Sequence, residues 1–284
     1  MSTNTSISID KLLRLIGTPG CPVILDVRTE EDFQKDPRFI PGALRRSHAQ
    51  VAEWAESFAG NAVVVVCEKG LKLSHGVAAW LRHSGVRAET LEGGTLAWAA
   101  GHHPMVPAQI LPPRDPQGRT VWVTRSRPKV DRIACPWLIR RFVDPNAVFL
   151  YVTPSEVMAV AEKFSATPFD IEGQVTPPGV FWSHRGDLCT FDVMIEEFGL
   201  GGFEPLQRLA GIVRGADTDR PDLAAQAPGL LAASLGLSRM FADDLEQLDA
   251  GMLLYDAFFR WCRDATGETH DWVSHSPKTK ASRP

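Results

Sequence analysis

The chain has 284 residues, of which 44% are hydrophobic, and it carries a formal net charge of -4 at pH 7. This weak charge argues against a general nucleic-acid-binding surface, so nucleic acid is not an expected partner. No apolar run approaches the length of a membrane span, so no membrane partner is expected either.

The cysteines and the N-terminal residues both bear on the compartment. The first residues, MSTNTSISIDKLLRLIG, lack the basic region and apolar core of a secretory signal. The cysteines are odd in number, scattered and free of CxxC pairs, which is typical of free thiols in a reducing cytoplasm. We therefore expect a cytoplasmic protein. The five cysteines are Cys21, Cys67, Cys135, Cys189 and Cys262.

The first third of the chain alternates predicted strands and helices. Apolar runs at 23–27 and 63–66 predict short buried strands. Helical spacing of apolar residues is found at 12–16, 51–58 and 74–83. This alternation predicts an α/β fold with a central parallel sheet flanked by helices.

A proline-rich stretch divides the chain. Five prolines fall within 104–116 and preclude regular helix there. We predict a first domain over 5–106, an extended linker over 107–119 and a second domain over 120–264, and the length allows a modest core for each domain. The tail over 265–284 is polar and aperiodic, so we expect it to be loosely ordered.

The second domain is predicted to be α+β and mostly helical. The runs VWVT at Val121 and VFLYV at Val148 predict strands. The longest predicted helix runs from Ser238 to Cys262, where apolar residues recur at steps of four and three. That spacing predicts a long core helix that packs against another helix.

Cys67 stands where a predicted buried strand ends and a helix is about to begin. This is the usual place for a ligand site in an open α/β sheet. A helix N-terminus, the charges of Lys69 and Lys72, and a backbone that Gly70 allows to curve would favour a thiolate or a bound anion. The alternative is a buried structural cysteine, and spacing alone leaves both interpretations open.

The residues around Cys67 resemble the rhodanese family of sulfurtransferases over about 5–106. The resemblance implies the α/β fold. It also implies that Cys67 takes sulfur from a sulfane sulfur donor, holds it as a persulfide and passes it to a thiol acceptor. It also implies support of the loop by Asp26 and Arg28, and we expect no cofactor. The matching stretches are ILDVRTEEDF, IPGA, CEKGLKLS and LEGGTLAWAAGHHPM. The implied substrate-binding loop consists of Glu68, Lys69, Gly70, Leu71 and Lys72.

The chain departs from this family at Lys72, where the family often has arginine. Lysine keeps the positive charge but cannot hold an oxyanion through two parallel hydrogen bonds. We therefore expect thiosulfate to be a poor sulfur donor and another persulfide to be a better one.

The stretch RPKVDRIACPWLIRRF is the densest motif of the second domain. With Pro136 in the first turn of a helix, Cys135 would lie at a helix N-terminus between Arg132 and Arg140, which predicts an oxyanion site that contains a thiol. The alternative is that Cys135, Trp137, Leu138 and Phe142 are core and that the arginines are solvated or pair with Asp131 and Asp144. From the residues alone this second interpretation is favoured.

Two further clusters are candidates for the same site. His184, with Cys189 and Cys135, would make a three-ligand zinc or iron site, but no short metal-binding spacing is present and we predict no metal. Asp217 and Asp219 follow a predicted helix and would orient arginines or bind a cation; the alternative is a simple helix-ending turn.

These stretches together resemble the C-terminal domain of ChrB-type chromate resistance proteins. The resemblance runs from about Thr120 to Asp264 and implies a sensor, regulator or accessory role in chromate resistance. We therefore expect a sulfurtransferase domain fused to a domain that senses or handles chromate or a similar oxyanion. The rival hypothesis is a non-enzymatic sensor or regulator of a chromate resistance operon. The oligomeric state stays open.

Overall fold

The computed structural model describes residues 5–172 and 179–268. The predicted loosely ordered tail lies outside the described residues from residue 269 onward. Within the described ranges, every helix is too short or too polar to cross a bilayer.

The first domain is built on a five-stranded parallel sheet with the strand order β1-β6-β5-β2-β4. The central strand β5 contains the valine run, and Val63 to Val66 are buried because helices cover both faces of the sheet. The predicted α/β fold is confirmed. The elements in chain order are β1 (Ser6–Ile7), α1 (Ile9–Leu15), β2 (Val23–Asp26), α2 (Glu30–Lys35), β3 (Arg38–Phe39), β4 (Ala43–Arg45), α3 (Val51–Trp54), β5 (Ala62–Val66), α4 (Lys72–His83), β6 (Arg87–Leu91), α5 (Gly94–Ala100) and β7 (Val106–Pro107).

The segment predicted as an extended linker packs against the rest of the chain. Its first residues form β7, which pairs antiparallel with β3 of the first domain. Ile110 and Leu111 are partly buried against the main hydrophobic core. Farther along, Arg114 Nη1 lies 3.2 Å from Asp144 Oδ2 of the second domain. The prolines therefore exclude regular helix as predicted, but they do not make this segment a free spacer.

The second domain combines a small parallel sheet of order β10-β8-β9 with several packed helices. The predicted strands at Val121 and Val148 are β8 and β9, and the α+β prediction is confirmed. The elements are β8 (Val121–Arg125), α6 (Asp131–Leu138), a π-helical segment (Ile139–Val143), β9 (Val148–Val152), α7 (Val157–Phe164), β10 (Thr167–Pro168), α8 (Thr190–Glu197), α9 (Glu204–Asp217), α10 (Ala227–Met240) and α11 (Asp244–Asp264).

The longest helix starts later than predicted. Its predicted N-terminal part, from Ser238, belongs to α10, which ends at Met240, and α11 begins at Asp244. The carboxylate of Asp243 caps α11 because it accepts hydrogen bonds from the N–H groups of Leu245 and Glu246. The cap residue thus separates α10 from α11, whereas the apolar periodicity across this stretch predicts one continuous helix.

The two domains share one hydrophobic core. Phe142 and Phe259 of the second domain lie against Gly17 of the first, where an added Cβ would be 2.3 Å from the Phe142 ring. The N–H of Gly42 donates a 2.7 Å hydrogen bond to the Phe142 carbonyl. A single cluster of buried side chains runs from Leu12 through Trp137 to α11. A second cluster of buried residues belongs to the first domain alone, so that domain has a core of its own beside the shared cluster.

Candidate functional site

The Cys67 loop connects the end of β5 to the start of α4. Cys67 is 4% exposed, and its thiol donates to Ser74 Oγ, at 3.3 Å. The Ser74 hydroxyl in turn donates to the Leu71 carbonyl. Helix α4 begins at Lys72, two residues earlier than the apolar spacing predicts, so its N-terminal turn lies directly beside the loop.

Two glycines let this loop fold against the next strand–helix connection. Gly70 has φ of +66° and Gly94 has φ of +61°, a left-handed conformation that favours glycine. A Cβ on Gly94 would lie 2.2 Å from the carbonyl oxygen of Cys67. The N–H groups of Thr95 and Leu96 donate to the carbonyls of Cys67 and Glu68, each at 3.0 Å. The loop is therefore held by backbone contacts on the side that faces α5.

These contacts use the loop's carbonyls and leave its amides free. Within residues 5–172 and 179–268, the backbone N–H groups from Glu68 to Leu71 donate no hydrogen bond. Lys69 and Leu71 are exposed, so water or a ligand can reach the amides of this loop. Unpaired amides beside a helix N-terminus form an environment suited to an anion.

The charged residues at the loop are mostly exposed. Lys69 and Lys72 are exposed, whereas the carboxylate of Glu68 lies 3.7 Å from Lys35 Nζ of α2. Leu71 is 60% exposed. The two loop lysines therefore contribute positive charge at the rim of the loop. The free backbone amides belong to the residues that directly follow Cys67.

Asp26 and Arg28 form a buried ion pair behind the loop. Arg28 Nη2 lies 2.5 Å from Asp26 Oδ2, and both side chains are almost fully buried. The guanidinium also donates to the carbonyls of Asp36 and Arg38, at 2.8 and 2.7 Å. A buried arginine with these partners fixes the segment between α2 and β3 relative to the end of β2. The pair thus supports the fold between α2 and β3, and support of the Cys67 loop itself stays a prediction.

The predicted thiol-containing helix start in the second domain is not present. Helix α6 begins at Asp131, so Cys135 and Pro136 lie inside the helix, and Cys135 is fully buried. Burial raises the pKa of Cys135 well above its usual value. Trp137 and Phe142 are also fully buried. The core interpretation of this motif is therefore confirmed for its apolar residues.

A proline inside α6 requires a local substitute for the hydrogen bond that it removes. Pro136 has no N–H to donate to the Arg132 carbonyl four residues earlier. The hydroxyl of Tyr151, from β9, donates to that carbonyl at 3.2 Å. Burial raises the pKa of Tyr151, so the phenol keeps the proton that it donates.

Three carboxylates surround the ring nitrogen of His184. Nε2 lies 3.4 Å from Asp131 Oδ2, 3.3 Å from Asp217 Oδ2 and 3.5 Å from Asp170 Oδ1. We call Asp131, His184 and Asp217 the His184 cluster, since one ligand atom from each lies within 4.8 Å of the others. The three residues come from the start of α6, the loop before α8 and the end of α9.

Asp170, beside this cluster, is already neutralised by other groups. Arg125 Nη2 lies 2.6 Å and Arg132 Nε 3.3 Å from its Oδ2. Thr190 donates to its Oδ1 at 3.1 Å. Arg132 therefore reaches the rim of the cluster, but it does so as the partner of a carboxylate and not as a free anion-binding group.

The backbone before Asp131 is strained and tightly held. Val130 has φ of +36°, which is unusual for a β-branched residue and is maintained only where the surroundings enforce it. Its N–H donates to Ser234 Oγ at 2.9 Å, and its carbonyl accepts from the Tyr255 hydroxyl at 2.7 Å. Helices α10 and α11 thus fix the point from which the Asp131 side chain enters the cluster.

The titration of the cluster follows from its crowding. Burial, and then the negative charge of Asp170, raises the pKa of Asp131. The adjacent carboxylates of Asp131 and then Asp217 raise the pKa of His184. Nearby carboxylates favour the charged imidazolium and disfavour one another's ionisation.

The remaining predicted site residues do not join the cluster. Arg140 pairs with Asp249, at 3.4 Å, and its guanidinium lies 5.1 Å from the Phe149 ring centroid. It falls in the π-helical segment that follows α6, whereas Arg132 lies in the first turn of α6. Asp219 is exposed beyond the end of α9. The arginines expected around one oxyanion are therefore separated.

The histidine–cysteine grouping considered from the sequence, for which we predicted no metal, also differs from the observed cluster. Cys189 is fully buried, and its Sγ lies 3.2 Å from Asp192 Oδ2. In the described part of the chain, the grouped ligand atoms around His184 belong to carboxylates and not to thiols. Sequence reasoning missed Asp170 and assigned Asp131 to an arginine. Asp131 lies in the basic stretch RPKVDR and Asp170 follows TPF, so neither stretch gives a local signal for a metal ligand.

Two family models match separate parts of the chain. Residues 8–101 match the family model of the rhodanese-like domain. Residues 122–262 match the family model of the ChrB C-terminal domain. The chain therefore joins a rhodanese-like domain to a ChrB C-terminal domain.

One curated relative is Protein ChrB of Cupriavidus metallidurans. It is 34% identical over 152 residues, which cover 52% of this chain and 43% of the relative. The chain thus spans less than half the length of this relative.

Several solved structures are similar to the first domain. SSP1007 from Staphylococcus saprophyticus is 26% identical, with 33% of this chain and 91% of that chain covered and a TM-score of 0.30. A rhodanese-like domain protein from Staphylococcus aureus is 31% identical, with 33% and 90% covered and a TM-score of 0.29. A thiosulfate sulfurtransferase from Pseudomonas aeruginosa is 27% identical, with 37% and 20% covered and a TM-score of 0.32.

Proposed function

We propose that the chain is a sulfurtransferase that carries sulfur as a persulfide on Cys67 and acts in chromate resistance. The observation that carries the sulfur-transfer proposal is the Cys67 loop. Its sulfur lies at the end of a buried strand, and the following backbone N–H groups make no hydrogen bond to the described protein. A negatively charged sulfur or donor at this position would be stabilised by those amides and by the adjacent helix N-terminus.

The reaction has two displacement steps. The thiolate of Cys67 attacks the outer sulfur of the donor and forms a new S–S bond, while the donor's own S–S bond breaks. With thiosulfate as donor, the electron pair leaves with sulfite. The thiolate of the acceptor then attacks the outer sulfur of the persulfide and releases the Cys67 thiolate, so the enzyme returns to its starting state.

Ser74 is positioned to support both charge states of Cys67. With the thiol protonated, the S–H donates to Ser74 Oγ. On ionisation, rotation of the Ser74 hydroxyl away from the Leu71 carbonyl would let the O–H donate to the sulfur. One hydroxyl can thus stabilise the thiol and the thiolate in turn.

The chromate part of the proposal comes from the second domain. Its match to the ChrB C-terminal domain and the resemblance to chromate resistance proteins support a role with chromate or a similar oxyanion. The His184 cluster is acidic, so it is poorly suited to hold a dianion directly. We therefore propose that oxyanion recognition takes place outside that cluster. We propose that sulfur transfer takes place in the first domain.

Mass spectrometry of the Cys67→Ser chain tests the sulfur-transfer proposal. Incubation of the wild-type chain with thiosulfate or with glutathione persulfide should add one sulfur atom, about 32 Da, at Cys67 and allow transfer to a thiol acceptor. The Cys67→Ser chain should do neither. Cys21→Ser, which removes the partly buried cysteine of the same domain, is the matched control and should behave as wild type.

The outcome of this experiment also distinguishes the sulfurtransferase from the rival function, a non-enzymatic chromate sensor. If the wild-type chain forms no persulfide with either donor, or Cys67→Ser transfers sulfur as well as wild type, the enzyme proposal is wrong. A rhodanese-like domain that serves only as the scaffold of a chromate sensor would then be the better explanation.

A further inference from the structure

We propose that Asp131, His184 and Asp217 bind a divalent first-row transition metal ion. The proposal does not depend on sulfur transfer at Cys67. It rests on the separations of the ligand atoms, on the charge balance of the cluster, and on a buried carboxylate oxygen that has no hydrogen bond.

The ligand atoms are spaced for a common metal ion. Metal bonds from histidine nitrogen or carboxylate oxygen are about 2.0–2.2 Å long, so adjacent ligand atoms lie about 3.0–3.5 Å apart in octahedral or tetrahedral coordination. His184 Nε2 lies 3.4 Å from Asp131 Oδ2 and 3.3 Å from Asp217 Oδ2. An ion can therefore be placed among these three atoms with small side-chain movements.

The charges of the cluster also suit a divalent cation. Asp170 has Arg125 and Arg132 as partners. Among the described residues, the ion-pair partner of both Asp131 and Asp217 is His184 alone. One imidazolium cannot balance two carboxylates, and its single Nε2–H cannot be directed well at several oxygens. A divalent ion balances both carboxylates while neutral His184 coordinates through Nε2.

A buried oxygen provides independent evidence for a ligand. Asp131 Oδ2 is inaccessible to solvent and accepts no hydrogen bond, and the whole side chain is only 4% exposed. An unsatisfied buried carboxylate oxygen is energetically unfavourable unless a cation or another donor compensates it. This oxygen is the one that faces His184 Nε2, which places the missing partner inside the cluster.

The donor set indicates the class of ion. One imidazole and two carboxylates suit Mn²⁺, Fe²⁺ or Zn²⁺, whereas a soft ion such as Cu⁺ prefers thiolates. The nearby thiol of Cys189 contacts Asp192 instead. The His184 side chain is 40% exposed, so water can complete the coordination and the ion can enter from that side.

Metal titration of the full chain tests this site. After removal of metals with a chelator, the chain is titrated with Mn²⁺, and free Mn²⁺ is followed by its electron paramagnetic resonance signal. We expect one Mn²⁺ per chain, displaced competitively by Zn²⁺. Asp217→Asn and Asp131→Asn should each weaken Mn²⁺ binding by at least tenfold. Asp219→Asn, an exposed aspartate two residues from Asp217, is the matched control and should bind as wild type.

Circular dichroism and the thermal unfolding midpoint would show that each variant is folded. If Asp131→Asn does not fold, Asp217→Asn decides the test, because the Asp217 side chain is partly exposed. Absence of stoichiometric binding to the wild-type chain at millimolar Mn²⁺ would overturn the proposal. So would unchanged affinity in a folded Asp217→Asn chain, which would identify the cluster as a protonated histidine among carboxylates.

Discussion

The two candidate sites of this chain attract opposite charges by different means. At the Cys67 loop the polar groups are backbone amides from consecutive residues, with two exposed lysines at the rim. At the His184 cluster they are carboxylate side chains delivered by separate elements of the second domain. Amides and a helix terminus suit an anion, whereas converging carboxylates suit a cation. The Cys67 loop and the His184 cluster are therefore suited to ligands of opposite charge.

The largest expected effect is a loss of stability, and it tests whether the two domains unfold independently. Phe142→Ala removes a ring that packs on Gly17 and Phe259 in the shared core. We expect the free energy of unfolding to fall by about 3–5 kcal/mol, since a large buried ring is lost. Calorimetry should still show a single transition, because both domains depend on this core.

The control for that experiment is Phe164→Ala. Phe164 is 63% exposed, so its removal should change stability by less than about 0.5 kcal/mol. Two well-separated transitions in the wild-type chain would mean that the domains unfold independently despite their contacts.

The next effect concerns the backbone on which the anion-attracting site depends. Gly94→Ala places a Cβ 2.2 Å from the Cys67 carbonyl at a left-handed residue, so the loop must move. We expect sulfur transfer to fall at least about a hundredfold, since small displacements of reacting groups have effects of this size. Steady-state assays with glutathione persulfide measure it.

A second glycine of the same domain controls for the added methyl group. Gly76 lies inside α4, and a Cβ there meets nothing within 4 Å. Gly76→Ala should preserve sulfur transfer and stabilise the helix by about 0.5–1 kcal/mol. Equal activity of both variants would show that the loop does not depend on the close backbone packing.

A smaller effect compares the thiols of the two regions. Burial raises the pKa of Cys135 and of Cys189 well above the usual value, so both are neutral thiols at pH 7. Burial also raises the pKa of Cys21 to about 12. A raised thiol pKa means that the reactive thiolate is scarce until the pH approaches that value. Iodoacetamide at pH 7 should therefore modify Cys67 at least about tenfold faster than the other three. Faster labelling of Cys21 would contradict the expected environment of Cys67.

The smallest effect concerns Lys72 at the rim of the loop. Lys72→Arg keeps the charge and adds the fork geometry that binds an oxyanion through two hydrogen bonds. We expect kcat/KM with thiosulfate to rise about threefold to tenfold and that with glutathione persulfide to change less. An equal change with both donors would show that oxyanion geometry does not limit the reaction.

The contrast between the sites also explains what the sequence could predict. The Cys67 loop is contiguous, and its strand, glycines and lysines are read directly from neighbouring positions. The His184 cluster joins Asp131, Asp217 and His184 from distant segments, so no spacing reveals it. Arg140 was misplaced because its guanidinium pairs with Asp249 of α11, a contact between distant segments that no local spacing reveals. Asp131 was misassigned because nothing local distinguishes a metal ligand from a partner of arginine.

The proline inside α6 links two positions that are far apart in the sequence. Because the Tyr151 hydroxyl supplies the hydrogen bond that Pro136 cannot, Tyr151 cannot lose its hydroxyl while the proline remains without leaving the Arg132 carbonyl without that donor. In the wild-type background, Tyr151→Phe leaves the Arg132 carbonyl without this donor and should lower stability. In a Pro136→Ala background the same change should have little effect on stability, because the restored amide donates to the carbonyl. Relatives that lack the proline are therefore free to lose the hydroxyl. Relatives that keep the proline should retain a donor on the neighbouring strand, and this pairwise dependence can be read from sequences alone.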